Sequence, residues 1–207
     1  GEHVIAQDEE AYALSFEAGF EYDTPVMRYR YNSPTTPQQW FDYDMAARTK
    51  VLRKTQEIPS GHDPARYRTR RMTAQAPDGA LVPITLTMRA DLKPDGAAPC
   101  LLYGYGAYGI SQEATFSIRA LSLVNRGWVF AQAHTRGGAD KGFGWYVDGK
   151  REKKPNTFTD FIACAEHLIE AGYAAKGRTV AYGGSAGGML MGAAANLRPD
   201  LWAGIVA

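Results

Sequence analysis

The hydrophobic pattern divides the chain into two parts, and the change falls near Ile58 to Tyr67. Before it, short segments rich in aromatic and β-branched residues are separated by turn signals, which is typical of consecutive antiparallel strands. These segments are "AYALSFE", "PVMRYRYN", "QQWFDYD" and "KVLRKTQ". Four such strands make about one sheet, roughly the size of one propeller blade, and a single blade cannot cover both of its faces. We therefore expect residues 1–64 to be a β-rich unit that is poorly stabilised in isolation.

From residue 65 onwards the pattern changes to strands that alternate with helices. Two alternating segments around "PDG", which are "RYRTRRMTAQA" and "ALVPITLTMRA", predict a β-hairpin. Short apolar runs typical of buried parallel strands then alternate with helical patterns; the runs are "PCLLYGY", "WVFAQAHT" and "RTVAYGG". In the clearest helix, Thr157 and Asp160 occupy the positions of a capping box and Gly172 ends the helix. We predict that residues 65–207 form an α/β sheet with helices on both faces.

The segment "GGSAGG" joins the last of these strands to a helix. It fits G-x-S-x-G, the nucleophile elbow, in which a sharp strand-to-helix turn holds a serine hydroxyl in a strained conformation. Gly183 and Gly187 are expected to relieve crowding at this turn, and Gly188 to let the helix approach the sheet. At the helix N-terminus, the N–H of Ala186 can bind a developing oxyanion. The motif therefore predicts Ser185 as a nucleophile.

A second candidate stretch, "LLYGYGAYG", ends the first predicted parallel strand. In an α/β-hydrolase the loop after the third strand supplies a second oxyanion donor, and this stretch has that place in the chain. A tyrosine hydroxyl there can do what a backbone N–H does elsewhere. The alternative is a Gly-rich turn whose tyrosines only pack.

Composition and charge narrow the function classes. A net charge of +1 gives no long-range field that would favour nucleic acid or an anionic membrane, so neither is expected as a partner. The two cysteines, Cys100 and Cys164, stand in apolar stretches and are expected to be buried free thiols, which points to a reducing compartment and a cytoplasmic location. We expect no metal or organic cofactor, since no His, Cys or carboxylate cluster has ligand spacing.

A catalytic serine needs a base to take its proton and an acid to orient that base. In α/β-hydrolases the acid and then the histidine follow the serine, but the segment after Ser185 holds Asp200 as its only acid and no histidine. His134 is the nearest upstream candidate base; the alternative is a strand-end histidine bonded within its own loop. Asp160 is interpreted as a helix cap, and Asp200 as an exposed loop acid.

Four motifs together resemble the prolyl oligopeptidase family of serine peptidases, and within it the oligopeptidase B branch. In chain order they are "LLYGYGAYG", "HTRGG", "KKPNTFTDFIACAEHLIEAGY" and "GGSAGGMLMGAAANLRPDLWAGIVA". That family joins a seven-bladed β-propeller to an α/β-hydrolase domain. The resemblance implies that residues 1–64 are the end of a propeller, about one blade, and that residues 65–207 are the first half of the catalytic domain. One departure is "RGGADKG", with Ala139 and Asp140 where the family often reads RGGGE.

Residue roles follow from the same resemblance. It implies Ser185 as the nucleophile, the Ala186 N–H and the Tyr105 hydroxyl as the oxyanion hole, and Tyr108 as an aromatic that lines the primary specificity pocket. The expected substrates are short peptides, with cleavage after Arg or Lys.

The resemblance also accounts for the missing acid and base. They are expected in the remainder of a longer enzyme, together with the rest of the propeller, so the chain alone is expected to lack peptidase activity. Two alternatives stay open: another α/β-hydrolase, such as an acylaminoacyl peptidase or carboxylesterase, or a noncatalytic binding module built from a degenerate hydrolase.

Overall fold

The computed structural model describes residues 2–19 and 21–207, which form two β-sheets. The first sheet is an antiparallel meander of strands β1 (Ala13–Phe16), β2 (Val26–Asn32), β3 (Gln39–Asp44) and β4 (Thr49–Thr55). This confirms the four predicted consecutive antiparallel strands. The sheet has a small core of Tyr29, Tyr31 and Tyr43, and β4 is exposed along its whole length.

The second sheet has six strands and mixed direction. They are β5 (Tyr67–Gln75), β6 (Leu81–Arg89), β7 (Cys100–Gly104), β8 (Val129–Ala133), β9 (Thr179–Tyr182) and β10 (Trp202–Val206). The spatial order is β10-β9-β7-β8-β6-β5. The β5–β6 hairpin joins antiparallel to β8, whereas β8, β7, β9 and β10 run parallel to one another. The carboxyl ends of β7, β8 and β9 therefore meet at one edge, where α/β folds place their ligand sites.

Four α-helices accompany this sheet: α1 (Ile118–Val124), α2 (Phe143–Val147), α3 (Pro155–Glu170) and α4 (Ala186–Leu197). Helices α3 and α4 pack against each other and supply Phe161, Leu168 and Leu190 to the main core. Helix α1 packs on β6 and β8 with buried residues that lie outside that core, so it covers the opposite face. The predicted α/β class with helices on both faces is confirmed.

Both cysteines are free and fully buried in the main core, as predicted. Burial raises the pKa of the Cys100 thiol to about 12, and it also raises the pKa of Cys164. Because the thiolate is the reactive form, these side chains act as core residues and not as nucleophiles.

The predicted capping box of α3 is wrong. The helix begins at Pro155, with Lys154 in the N-cap position. Proline is favoured at the first helical position because its missing N–H would be unpaired there anyway. Thr157 instead donates its hydroxyl hydrogen to the Arg136 carbonyl at 2.7 Å, and the Asp160 carboxylate binds the Arg136 guanidinium. A buried guanidinium without a partner costs more free energy than a helix N-terminus without a side-chain cap, so the Asp160 carboxylate pairs with Arg136.

A short 3-10 turn, Pro64–Arg66, leads from the first sheet into β5. Two side-chain to backbone hydrogen bonds link the sheets beside it: Arg71 N to Glu10 Oε1 at 3.0 Å and Phe116 N to Asn32 Oδ1 at 2.9 Å. The predicted division at residues 64 and 65 falls at this turn; that the two parts are separate domains stays a prediction. Within the described ranges, no helix is both long and apolar enough to cross a bilayer.

Candidate active site

Ser185 lies between the end of β9 at Tyr182 and the start of α4 at Ala186. Its backbone has φ 58° and ψ −119°, a conformation that is unfavourable for a residue with a Cβ. Such strain persists only where the surroundings enforce it, and it is concentrated at functional sites. The side chain is exposed at the sheet edge described above.

Two glycines of the motif are required by close packing, as predicted. A Cβ on Gly183 would lie 2.6 Å from the Gly104 carbonyl oxygen, and one on Gly187 would lie 2.7 Å from the same oxygen. The elbow is therefore pressed against the end of β7. The expectation for Gly188 is wrong, because a Cβ there would meet its nearest neighbours at 3.8 and 3.9 Å, which is ordinary contact.

The Ser185 hydroxyl is not used to cap the helix. A serine at the N-cap position usually accepts a hydrogen bond from the second or third helical N–H, but here no side-chain cap bond forms. Ala186 is the first helical residue, so its N–H has no intrahelical acceptor. Within the described part of the chain, neither the Ser185 hydroxyl nor the Ala186 N–H has a hydrogen-bond partner. A hydroxyl and an N–H at the positive end of a helix dipole form a site suited to nucleophilic attack on a carbonyl.

The structure brings Tyr105 next to this elbow. Tyr105 directly follows Gly104, and a Cβ on Gly187 would lie 3.6 Å from the Tyr105 Cα. The rings of Tyr105 and Tyr108 have centroids 6.4 Å apart and are tilted by 53°. Tyr108 is 73% exposed and has φ 59°, which makes it a second strained residue at this edge. The predicted site residues Ser185, Ala186, Tyr105 and Tyr108 thus come from two adjacent strand ends.

A buried charge cluster lies beside the loop from Tyr105 to Gly109, which we call the tyrosine loop. The Arg136 guanidinium donates to both oxygens of Asp160, at 2.6 Å from Nη2 and 2.9 Å from Nε, while the Arg136 backbone N–H donates to Asp160 Oδ2 at 2.9 Å. On its outer side the guanidinium binds the half-exposed Asp78 at 2.5 Å. The hydrogen bond to Asp160, more than that to Asp78, raises the pKa of Arg136. This cluster fixes α3 to the segment after β8.

Lys154 connects α3 to the tyrosine loop directly. Its ammonium donates to the Gly106 carbonyl at 2.5 Å, and burial lowers the pKa of this lysine. Gly106 itself is tightly packed, because a Cβ there would overlap Thr157 Cγ2 and Thr135 Oγ1. The sequence reasoning missed both Lys154 and Arg136. The available signals were a cation just before a helix in "KKPNTF" and the arginine of "HTRGG".

His134 is unsuited to act as the base for Ser185. Its ring is 3% exposed, and its two nitrogens are engaged by Thr85 Oγ1 at 2.7 Å and Asp140 Oδ1 at 2.9 Å. It follows β8, which is separated from β9 by β7, so the two strands lie about 10 Å apart. The alternative of a strand-end histidine bonded in its own loop is confirmed. Asp140, the departure from the family pattern, also accepts a hydrogen bond from Gln112 N at 2.9 Å.

The remaining candidate partners lie away from the elbow. Asp200 is an exposed loop acid, as expected, and its hydrogen bond to Arg198 lowers its pKa to about 2. It follows α4, whose twelve residues separate it from Ser185 by about 18 Å. The other histidines are also engaged elsewhere: His3 bonds Tyr43, His62 bonds the Thr35 carbonyl, and His167 is in the last turn of α3.

Residues 114–207 match the model of the prolyl oligopeptidase family. Among curated relatives, dipeptidyl aminopeptidase BI of Pseudoxanthomonas mexicana is 46% identical over 95% of this chain and 27% of its own length. Protease 2 of Moraxella lacunata is 38% identical over 98% of this chain and 29% of its own length. The chain therefore spans less than a third of the length of these relatives.

A solved structure of oligopeptidase B from Leishmania major superposes with a TM-score of 0.90 at 38% identity, covering 97% of this chain and 28% of that protein. The similarity runs through both sheets and includes the blade-like meander. It supports an α/β-hydrolase architecture for the second sheet. Residues 114–207, with the serine elbow, thus match the prolyl oligopeptidase family, and the chain is similar to members of that family along nearly its whole length.

Proposed function

We propose that this chain carries the nucleophile of a serine-type oligopeptidase that cleaves short peptides through an acyl-enzyme on Ser185. The observation that carries the proposal is the strained N-cap conformation of Ser185, whose side chain makes no cap bond and whose helix begins against the loop that carries Tyr105. A serine held this way by close packing against β7 has a structural cost and no capping benefit, which favours a chemical role.

The proposed reaction begins when the Ser185 oxygen attacks the scissile carbonyl carbon and gives its proton to a base. The carbonyl oxygen becomes an oxyanion and is stabilised by the Ala186 N–H and the Tyr105 hydroxyl. As this intermediate collapses, the C–N bond breaks, the base returns the proton to the departing amine, and an ester is left on Ser185; water then hydrolyses the ester to an acid and restores the serine hydroxyl. Tyr108 is proposed to line the pocket for the residue before the scissile bond.

The base and its acid are proposed to lie in the rest of a longer enzyme. This is supported by the share of the relatives that the chain spans, 27% and 29%, and by the engagement of His134 in its own loop. The chain alone is then expected to be inactive. A cytoplasmic location stays a prediction based on the two free, buried thiols.

Substrate preference is the finer part of the proposal. Cleavage after Arg or Lys is favoured by the similarity to oligopeptidase B. A second candidate, removal of dipeptides from a free N-terminus, is favoured by the name of the relative with 46% identity, a dipeptidyl aminopeptidase. The two differ in whether the substrate needs a free amino group two residues before the cut.

The test uses the full-length protein that contains this chain, the 207-residue chain alone, and the full-length Ser185→Ala variant. Each is treated with a fluorophosphonate probe and assayed on chromogenic arginyl substrates, either N-blocked or with a free N-terminal dipeptide. We expect turnover and labelling of the full-length protein only, and none for Ser185→Ala. Turnover of the blocked substrate indicates an endopeptidase, whereas turnover of only the free dipeptide indicates the second candidate.

Three results would contradict parts of this proposal. Brisk turnover by the 207-residue chain would refute the need for a longer enzyme. Ester cleavage without peptide cleavage would favour a carboxylesterase. A full-length protein that neither reacts with the probe nor cleaves any substrate would favour a noncatalytic module.

A further inference from the structure

The loop from Tyr105 to Gly109 needs support from outside itself. Three of its five residues have positive φ: Gly106 at 63°, Tyr108 at 59° and Gly109 at 67°. This region is unfavourable for tyrosine, because the Cβ approaches the following carbonyl. Contacts with surrounding elements must therefore hold the loop in this conformation.

Two hydrogen bonds anchor the loop to its surroundings. Gly109 N donates to the Gly137 carbonyl at 2.9 Å, and the Lys154 ammonium donates to the Gly106 carbonyl at 2.5 Å. In the part of the chain that the structure describes, Lys154 is the only donor found for this carbonyl. Because Gly106 is buried, removal of the ammonium would leave its carbonyl without a donor.

The position of Lys154 is otherwise unfavourable for a cation, apart from the Phe158 ring, whose centroid lies 5.9 Å from the ammonium. It occupies the N-cap of α3, where the helix dipole disfavours positive charge, and it is partly buried. Among residues 2–19 and 21–207, no carboxylate lies within 4.0 Å of its ammonium. Its neighbour Lys153 instead forms an exposed ion pair with Asp148 at 2.6 Å. A residue that destabilises the N-terminus of its helix, as Lys154 does, is expected where function requires that residue.

We infer that Lys154 is a positioning residue, whose bond to the Gly106 carbonyl holds the Tyr105 hydroxyl in place for the oxyanion. This inference rests on the proposed function. The Gly106 carbonyl lies in the peptide that follows Gly106, one residue after Tyr105, so loss of its donor would free this peptide to rotate and would loosen the turn that holds the Tyr105 side chain in place. The effect falls on the transition state, where the oxyanion exists, and much less on substrate binding.

A double-mutant cycle in the full-length enzyme tests this inference, with Lys154→Met, Tyr105→Phe and the pair combined. Methionine keeps the apolar stem and removes the ammonium. Loss of one oxyanion donor costs about 10²–10³-fold in kcat, so we expect Tyr105→Phe to show this loss and Lys154→Met to show roughly 10- to 100-fold, both with little change in KM. The double variant should be no more than about threefold slower than Tyr105→Phe alone, since both changes disable the same donor.

Lys153→Met is the matched control, because it removes a neighbouring exposed ammonium and should keep the wild-type kcat. Thermal unfolding of each variant separates misfolding from mispositioning. If Lys154→Met is unfolded at the assay temperature, Lys154→Leu replaces it with the same expected coupling, because leucine also lacks a donor. Losses that multiply in the double variant, or a wild-type kcat in a folded Lys154 variant, would overturn the inference while leaving the peptidase intact. An inactive wild-type enzyme would instead overturn the proposed function, and the role of Lys154 with it.

Discussion

The Arg136 and Asp160 side chains form a buried ion pair at the base of the candidate site. Asp160 is fully buried, and the Arg136 side chain is 6% exposed. Separating two such charges is costly, because each would remain in a low-dielectric interior without its partner. The outer side of the guanidinium binds Asp78, whose side chain is 49% exposed, so that its carboxylate is largely solvated.

We therefore predict that Asp160→Asn lowers the free energy of unfolding by about 3 kcal/mol, because one buried charge loses its main partner. Asp78→Asn is the matched control and should cost less than about 1 kcal/mol, since its carboxylate is largely solvated. Urea unfolding followed by circular dichroism measures both. Equal costs for the two variants would show that burial does not control the strength of this cluster.

Asp160 also shows why a role inferred from the local sequence alone can be wrong. In "TFTDF" it stands three residues after a threonine, which is the spacing of a capping box. Its actual partner is 24 positions earlier in the chain, after β8. Spacing reveals what a side chain can reach along one helix, whereas the packing of α3 against the sheet decides which charge it meets.

The strand-to-helix turn at Ser185 depends on contact between two elements. Both Gly183 and Gly187 face the Gly104 carbonyl at the end of β7, so the start of α4 can approach the sheet only if these positions lack a Cβ. Gly192 is in the same helix but has no atom within 4 Å of the position that its Cβ would occupy. The same substitution should therefore have opposite effects at the two helical sites.

We predict that Gly187→Ala lowers the free energy of unfolding by about 2 kcal/mol, because its methyl group would force α4 away from β7. Gly192→Ala should raise it by about 0.5–1 kcal/mol, because alanine favours the helix and meets no neighbour. Thermal or urea unfolding of the two variants tests the contrast. If Gly187→Ala were as stable as the parent, the close packing of the elbow would be refuted.

Most elements were predictable because their hydrophobic periods are strong. The strands β1 to β9 and the helices α3 and α4 lie in segments whose pattern predicted them. The helix α2 is different, because it has only five residues and one buried side chain, Trp145. Its indole N–H donates to the His134 carbonyl at 2.9 Å, so a tertiary contact stabilises a turn too short to show a helical period.

Two adjacent glutamates near the N-terminus bind different parts of the molecule. Glu10 accepts the Arg71 N–H of β5, whereas Glu9 accepts hydroxyl hydrogens from a cluster beside the first sheet. The donors to Glu9 are Tyr31, Ser33, Thr35 and Thr36. Burial alone would raise the pKa of Glu9, but these four hydrogen bonds together outweigh it and lower the pKa below its ordinary value of 4.5.

A carboxylate with a lowered pKa stabilises the fold only while it is ionised. The contribution of Glu9 is therefore fully present above about pH 4.5 and is lost as the pH falls through the lower folded-state pKa. We predict that Glu9→Gln reduces the free energy of unfolding by about 1 kcal/mol at pH 7, and that the difference from the parent shrinks towards zero at acid pH. Urea unfolding at a series of pH values measures the difference.

Glu57→Gln is the control for this series, because Glu57 is exposed and its substitution should change stability little at any pH. A Glu9→Gln difference that stays constant down to pH 2 would show that the hydroxyl cluster does not depend on the carboxylate charge.

The sequence by itself determined the order and type of most elements, the α/β class and the strand-to-helix turn at Ser185, because hydrophobic period and glycine placement are local properties of the chain. Tertiary structure alone decided that Gly104 meets the elbow, that Asp160 pairs with Arg136, that His134 is held by Thr85 and Asp140, and that Lys154 reaches the Gly106 carbonyl. These contacts join residues from different strands and helices, and their partners follow from how the elements pack. For the same reason, only the structure shows that both ring nitrogens of His134 are engaged in hydrogen bonds. Only the structure likewise shows that Lys154 contacts the loop that carries Tyr105.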